Sequence, residues 1–372
     1  MENTEQTGAL FRTYIVPPFS ILDTGAGPWQ SRRQGWYALG LRSEEGRDGD
    51  LIVTNPELTK LKAMRSTGTS VFDPLLAECM IEWFCPREGL VLDPFAGGSV
   101  RGLVAAFLGR KYVGIELRPE QVTANENQRK HLLPAYEHLL WICGDSDIVL
   151  PTLSYQSDMI LTCPPYGDLE VYGDDPADLS VIAKQEHSRF LEVYRRIIQK
   201  AAIKLKEDRF AVFVVGDYRD KTGFYRNFIG ETVTAAEAAG LRYYNEAILV
   251  NPAGTLPLRV GGYMQKSRKL GRRHQNVLIF VKGDPRKATQ ACLLNAPEEL
   301  GYKDLPTISK PKRGNTRRNI SVGVATKLQN ETPIGDGRVR VEDSVAVGTK
   351  PGELGCQGDG GGPITDSHVT FE

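Results

Sequence analysis

The chain alternates short runs of β-branched and aromatic residues with longer stretches whose apolar positions recur at helical spacing. From about residue 51 to residue 281 this alternation is the pattern of βαβ units, which build a largely parallel sheet. Seven strands are expected, at 90–92, 112–115, 140–143, 159–162, 210–215, 247–250 and 277–281. Helices are expected between them, at 74–84, 100–108, 119–132, 188–205 and 229–239. Together these make one doubly wound α/β domain over 51–287. Residues 1–50 read as a turn-rich extension (Pro17-Pro18, Thr24-Gly25-Ala26-Gly27-Pro28) with one helix at 29–41. Past 287 the pattern decays, and from about 303 the chain is rich in Gly, Thr, Lys, Asp and Pro and nearly free of aromatics. Such a segment buries too little surface to offset its ordering entropy, so 288–372 is expected to be a mostly disordered tail.

Composition narrows the class. With 372 residues, 41% of them hydrophobic, there is material for a large core. The 46 Lys+Arg balance 46 Asp+Glu, so any nucleic-acid surface must come from local asymmetry. No apolar run approaches the roughly 18 residues of a membrane span. The opening MENTEQTGALFRTY lacks the basic, apolar, small-residue order of a secretory signal, and a cytoplasmic chain without a membrane partner is the expectation. The six Cys form no CxxC pair and have no His at ligand spacing, which argues against a zinc site and a disulfide framework; no metal is expected.

The run Val91-Leu92-Asp93-Pro94-Phe95-Ala96-Gly97-Gly98-Ser99-Val100 compresses a strand, a tight small-residue turn and a helix start into ten residues. Small residues let the backbone approach a ligand, and the helix N-terminus offers unpaired N–H groups, so a nucleotide-like ligand fits there. Glu116 ends the next strand, placed as ribose-binding carboxylates are in doubly wound sheets, and Asp145 closes the strand after that. A dinucleotide fingerprint, GxGxxG, is not matched by Gly97-Gly98-Ser99-Val100-Arg101-Gly102. Asp93-Pro94-Phe95-Ala96-Gly97 instead resembles the first motif of S-adenosylmethionine-dependent DNA amino-methyltransferases, usually DPFAGSGT, with Gly98-Ser99 in inverted order. Phe72-Asp73-Pro74 resembles their motif X, which encloses the methionine end of the cofactor. The resemblance implies S-adenosyl-L-methionine as cofactor and Phe72, Asp93, Phe95, Ala96, Gly97, Gly98, Glu116 and Asp145 as its binding residues.

Cys163-Pro164-Pro165-Tyr166, directly after a strand, is the most specific segment. Two prolines fix two φ angles and remove two donors, leaving carbonyls that accept hydrogen bonds beside an aromatic face. That suits a planar ligand with an exocyclic amino group. The segment resembles the family's fourth motif, (Asp/Asn/Ser)-Pro-Pro-(Tyr/Phe/Trp), and the likeness spans most of 70–285 in an order similar to the gamma arrangement. Cys163 departs from the usual first residue; it matches Ser in size, and Ser is frequent there among cytosine-N4 enzymes. A nucleophilic Cys163, as in cytosine-C5 methylation, is disfavoured because those enzymes place Cys after the prolines. The resemblance implies Cys163, Pro164, Pro165 and Tyr166 as the catalytic residues. It also implies a class-I, Rossmann-like methyltransferase fold with a seven-stranded, mostly parallel, doubly wound sheet. A looser likeness at Pro17-Pro18-Phe19-Ser20-Ile21-Leu22-Asp23, with Trp29 and Trp36, is to phage and prophage DNA modification methylases.

Between 252 and 287 nine basic residues meet a single acid, Asp284, and glycines and prolines interrupt them. This reads as a flexible basic loop at 252–275 whose Arg259, Lys266, Arg268, Lys269, Arg272 and Arg273 contact double-stranded DNA, with Tyr263 and Gln265 free to read bases. A second cluster, Lys310, Lys312, Arg313, Arg317 and Arg318, opens the tail. Acids at Asp168, Glu170, Asp174, Asp175 and Asp178 read as a solvated, mobile loop, and the five His as surface or capping residues. The expected activity is methyl transfer to the exocyclic amino group of a flipped adenine (N6) or cytosine (N4) in DNA, with a cognate restriction endonuclease as a possible partner. An RNA guanine-N2 or protein-glutamine methyltransferase, and a catalytically silent DNA-binding protein, remain the alternatives.

Overall fold

The computed structural model describes residues 9–42, 45–46, 71–169, 174–254 and 256–293. The expected tail from 294 onward, its basic cluster at 310–318, and Glu170 lie outside the described residues.

Eight strands form one sheet: β1 (Ile21–Asp23), β2 (Leu90–Asp93), β3 (Lys111–Glu116), β4 (Leu139–Cys143), β5 (Ser157–Thr162), β6 (Leu205–Val215), β7 (Arg242–Val250) and β8 (His274–Lys282). Their order is β1-β7-β8-β6-β5-β2-β3-β4, and every pairing is parallel except those of β8 with β6 and with β7. The helices are α1 (Ala9–Tyr14), α2 (Gly27–Ala38), α3 (Pro74–Phe84), α4 (Val100–Phe107), α5 (Pro119–Leu132), α6 (Ser146–Thr152), α7 (Leu179–Gln185), α8 (His187–Lys204), α9 (Phe228–Ala238), α10 (Pro257–Ser267) and α11 (Pro285–Leu293).

Strand side chains alternate between two cores. Val91, Tyr112, Met159, Leu161 and Val212 face one cluster with α3 and α4, while Leu92, Val113, Ile160, Ala211 and Phe213 face another with α8 and α9. Both faces of the sheet are therefore covered, which is why β2 and β5 are buried at every position rather than alternating with polar residues. The fold is the expected doubly wound α/β fold. No helix among the described residues is long and apolar enough to cross a membrane.

Three expectations need correction. The sheet has eight strands, not seven: residues 21–23 pair with β7 as a parallel edge strand, so the N-terminal segment joins the sheet instead of extending from it. This segment is tied down further by α2. Trp29 and Arg33 donate to Asp73 at 3.1 and 3.2 Å, and Trp36 donates to the fully buried Glu78 at 2.8 Å. The folded part runs past 287, because α11 packs on the sheet through the buried Ala288. The stretch expected as a basic loop contains α10, begun by Pro257 and ended by Arg268 in the left-handed region (φ 55°).

Candidate active site

At β2 the winding reverses, with β3 and β4 on one side and β5 and β6 on the other. Crevices open beyond the strands' carboxyl ends at such a point. Asp93 ends β2 there but is fully buried. Its Oδ2 accepts from Arg101 Nε at 2.5 Å and from Tyr112 Oη at 2.9 Å, and its Oδ1 accepts from Thr162 Oγ1 at 2.6 Å. Burial disfavours the Arg101 charge, and the Asp93 carboxylate outweighs it, holding Arg101 above its usual range. Arg101 also donates to the carbonyls of Phe95 and Ala96, both at 2.8 Å. Asp93 therefore does not line the cavity, contrary to its expected place among the binding residues; it anchors the arginine that shapes the 94–99 loop.

The loop above it is held from three sides. Gly97 adopts φ +53°, a left-handed conformation that costs glycine little. Its N–H donates to Glu116 Oε2 at 2.8 Å, and its carbonyl accepts from Asn125 Nδ2 at 2.7 Å. Ser146 Oγ donates to the Pro94 carbonyl at 2.5 Å. The buried stripe of α5 is polar, Gln121, Asn125 and Gln128, and Gln121 donates to Asn125 Oδ1 at 2.9 Å. Asn125, oriented by Gln121, thus holds the glycine turn, while Gln128 pairs with the Arg42 backbone.

The resulting cavity is walled by Phe72, Phe95, Leu117 and Leu179, floored by Ala96, Gly97 and Gly98, and faced by Glu116 and Asp145. Burial raises the pKa of both carboxyls, although backbone N–H groups of Arg118 and Gly97 hold Glu116 down and that of Asp147 holds Asp145 down. Among the described residues Glu116 accepts from Gly97 and, at 3.0 Å, from Arg118, one bond to each oxygen, so lone pairs remain for a ligand's hydroxyls. Apolar side walls, a glycine floor and two half-buried acids fit an adenosine-type nucleoside bearing a cationic group. Arg101, whose guanidinium also lies 4.6 Å over the Phe72 ring, Arg118, Gln121, Asp178 and Ser146 join the lining without having been expected there. The signals were an arginine inside the otherwise apolar α4 and amides at i, i+4 and i+7 of α5.

Cys163, Pro164, Pro165 and Tyr166 line the far end of this same cavity, so the structure brings them together with Gly97 and Glu116. Tyr166 rests on Phe228 (centroids 6.1 Å apart, planes at 59°), accepts from Gln275 Nε2 at 2.8 Å and lies 3.7 Å from Cys163 Sγ through its hydroxyl. Gly216 leaves room for the ring, since a Cβ there would come 3.1 Å from it. Tyr166 also lines a second cavity, shared with Gly216, Asp217, Asn251, Arg259, Arg272 and Gln275.

Of the basic residues, Arg259, Arg272 and Arg273 reach this second cavity, whereas Lys266, Arg268 and Lys269 do not line it. Arg272 donates to the His274 carbonyl (3.0 Å) and to Asn276 Oδ1 (2.7 Å), and Arg273 donates to the Asn251 carbonyl, so both also brace the strand ends. Tyr263 and Gln265 are exposed on α10, outside both cavities. No cluster of His, Cys, Asp and Glu fit to hold a metal occurs among the described residues.

No curated protein matches the sequence. Among solved structures, TrmN from Thermus thermophilus is similar at 15% identity over 57% of this chain and 49% of that one (TM-score 0.38), so the chain spans about half its length. A putative RNA methyltransferase from Pyrococcus horikoshii is similar at 13% identity over 68% of this chain and 100% of that one (TM-score 0.39). Magnesium protoporphyrin IX methyltransferase from Synechocystis, solved with bound SAM, is similar at 10% identity over 74% and 96% (TM-score 0.36). The family model described as DNA methylase, of the N6/N4 methyltransferase type, matches residues 54–127. That stretch contains α3, β2, α4, β3 and the start of α5, so the part of the chain that carries the glycine turn is similar to N6/N4 DNA methylases.

Proposed function

We propose that the protein transfers a methyl group from S-adenosyl-L-methionine to the exocyclic amino nitrogen of adenine (N6) or cytosine (N4) in double-stranded DNA. The observation that supports this reading is the position of Tyr166, which is a wall of two cavities at once: one with the glycine turn and Glu116, the other with Gln275 and three arginines. A donor on one side and an acceptor base on the other would meet at the Cys163-Pro164-Pro165 edge.

The chain's own groups have distinct tasks in that arrangement. Glu116 and Asp145 would accept hydrogen bonds from the donor's hydroxyls and amino groups, while Phe72, Phe95 and Leu179 would exclude water. S-adenosylmethionine supplies an activated methyl group, so positioning is the main demand on the protein. The Pro164 carbonyl accepts from the base's amino group, turning the nitrogen lone pair out of ring conjugation and toward the methyl. The N–C bond would form as the S–C bond breaks, with S-adenosylhomocysteine as leaving group and the amino proton lost to solvent. A base stacked in a duplex cannot reach this slot; it must be extruded, at a cost of a few kcal/mol, which stacking on Tyr166 offsets in part. Arg259, Arg272 and Arg273 ring the slot where the extruded nucleotide's phosphates would lie.

The test is transfer from tritiated S-adenosylmethionine to unmethylated duplex DNA, with the product digested to nucleosides. Label in N6-methyladenine or N4-methylcytosine is expected. Label in RNA or protein substrates but not DNA, or S-adenosylmethionine binding without transfer, would reject the reading.

A further inference from the structure

Beyond the acceptor cavity, the chain leaves β6 through Gly216 and Asp217, both walls of that cavity, and at once makes a tight turn before α9. The turn is built rigidly. The Asp220 carboxylate accepts from the N–H groups of Thr222, Gly223 and Phe224 at 2.9, 2.8 and 3.0 Å. Asp220 N–H donates to the Phe224 carbonyl at 2.9 Å, and Arg219 and Tyr225 bridge across the turn as antiparallel partners. Arg219 then stacks its guanidinium 3.8 Å over the Tyr225 ring. Every one of these bonds stays within the turn, yet its tip presents Phe224 with 74% of its surface exposed, more than any other aromatic side chain among the described residues.

The turn shares a face with the basic segment. Lys269 reaches it from beyond α10, its ammonium lying over Gly223 where a Cβ would collide with it. An aromatic ring held out on a pre-organised support, flanked by Arg219, Lys221 and Lys269 and joined to the slot that takes the base, has the chemistry of a residue that stacks between bases while cations hold the phosphates. We propose that Phe224 is a wedge: it enters the base stack of duplex DNA in the gap left by the extruded target base. The proposal rests on the reading of the neighbouring cavity as the acceptor site and names the residue that stabilises the extruded state.

The mechanism separates Phe224 from a residue that only adds affinity. At saturating unmethylated plasmid DNA, Phe224→Ala should transfer methyl groups about tenfold more slowly than the unaltered protein, the equivalent of roughly 1.4 kcal/mol of lost stacking. Phe224→Trp should restore most of the rate, and the tryptophan emission it adds over the unaltered protein should be quenched when duplex binds. An unchanged saturating rate for Phe224→Ala, or added emission that duplex leaves unquenched, would overturn the wedge while leaving the acceptor site intact. Failure of the unaltered protein to transfer to any DNA would remove the acceptor reading itself, and the wedge with it.

Discussion

Replacing Asp93 with Ala separates a contact to the donor from a support beneath it. Asp93 is wholly buried and is the acceptor for Arg101, Tyr112 and Thr162. Removing one partner of a buried ion pair costs about 3–5 kcal/mol because the other charge is stranded. The two hydroxyls left without an acceptor would add about 1–3 kcal/mol each if they found no other partner, but such terms overlap in a connected network. A loss of about 4 kcal/mol is therefore the expectation. With a urea slope of about 3 kcal/mol/M, the unfolding midpoint should fall by more than about 1 M. Donor binding should fall with it, since the freed Arg101 releases the Phe95 and Ala96 carbonyls. Adding Arg101→Met to Asp93→Ala removes the stranded charge and should recover part of the stability without recovering binding. The assay is urea unfolding followed by tryptophan fluorescence, beside calorimetric titration with S-adenosylhomocysteine. An unshifted midpoint combined with abolished binding would refute the reasoning and return Asp93 to the ligand's surface.

Other outcomes follow from the same geometry. Tyr166→Ala should leave donor affinity nearly intact in calorimetry while methyl transfer collapses; equal loss of both would remove its stacking role. Burial raises the Glu116 pKa, so the folded state holds this proton more tightly than the unfolded chain: its contribution to stability declines as pH rises from the ordinary carboxyl value through the raised one. Donor affinity should rise over that same window, because the ionised form accepts the hydroxyls, and Glu116→Gln should flatten the rise. Cys163→Ser should keep transfer within about threefold, a factor worth roughly 0.7 kcal/mol; complete loss with an intact fold would make the thiol a participant. Lys266 and Arg268 are exposed, and neutralising both should lower the slope of log affinity against log salt for duplex DNA by nearly two if each meets a phosphate. An unaltered slope would take that face off the DNA.

What was legible in the sequence, and what was not, follows from where the signal lies. Strands β2, β3, β5 and the 210–215 part of β6 announce themselves because strands covered on both faces need nearly unbroken apolar runs, whereas the exposed first half of β7 carries no such signal. The edge strand β1 has three residues in turn-rich surroundings, and only backbone pairing with β7 makes it a strand. Helix α10 was hidden by Gly261 and Gly262 in its middle, and it buries no residue. Helices α6 and α7 are only seven residues long and are begun by the side chains of Asp145 and Asp178, of which sequence patterning reads the first as a strand-ending ligand acid and the second as a loop acid. At the site, the glycine turn and Cys163-Pro164-Pro165-Tyr166 stood out because backbone-restricting residues are local signals. The Asp93–Arg101–Tyr112–Thr162 network did not, since its members lie up to 69 residues apart and meet only through the sheet. Asp93 itself was visible, but a strand-ending acid looks the same in sequence whether it faces a ligand or a buried arginine.

The central claim is that donor and base meet across Tyr166. Its most direct test is to express the unaltered chain and the Tyr166→Ala variant in a host free of DNA methylation and map modified bases across the genome by single-molecule sequencing. The account predicts N6-methyladenine or N4-methylcytosine at a defined sequence with the unaltered chain and none with the variant. Methylation at cytosine C5, or equal modification by both proteins, would contradict it.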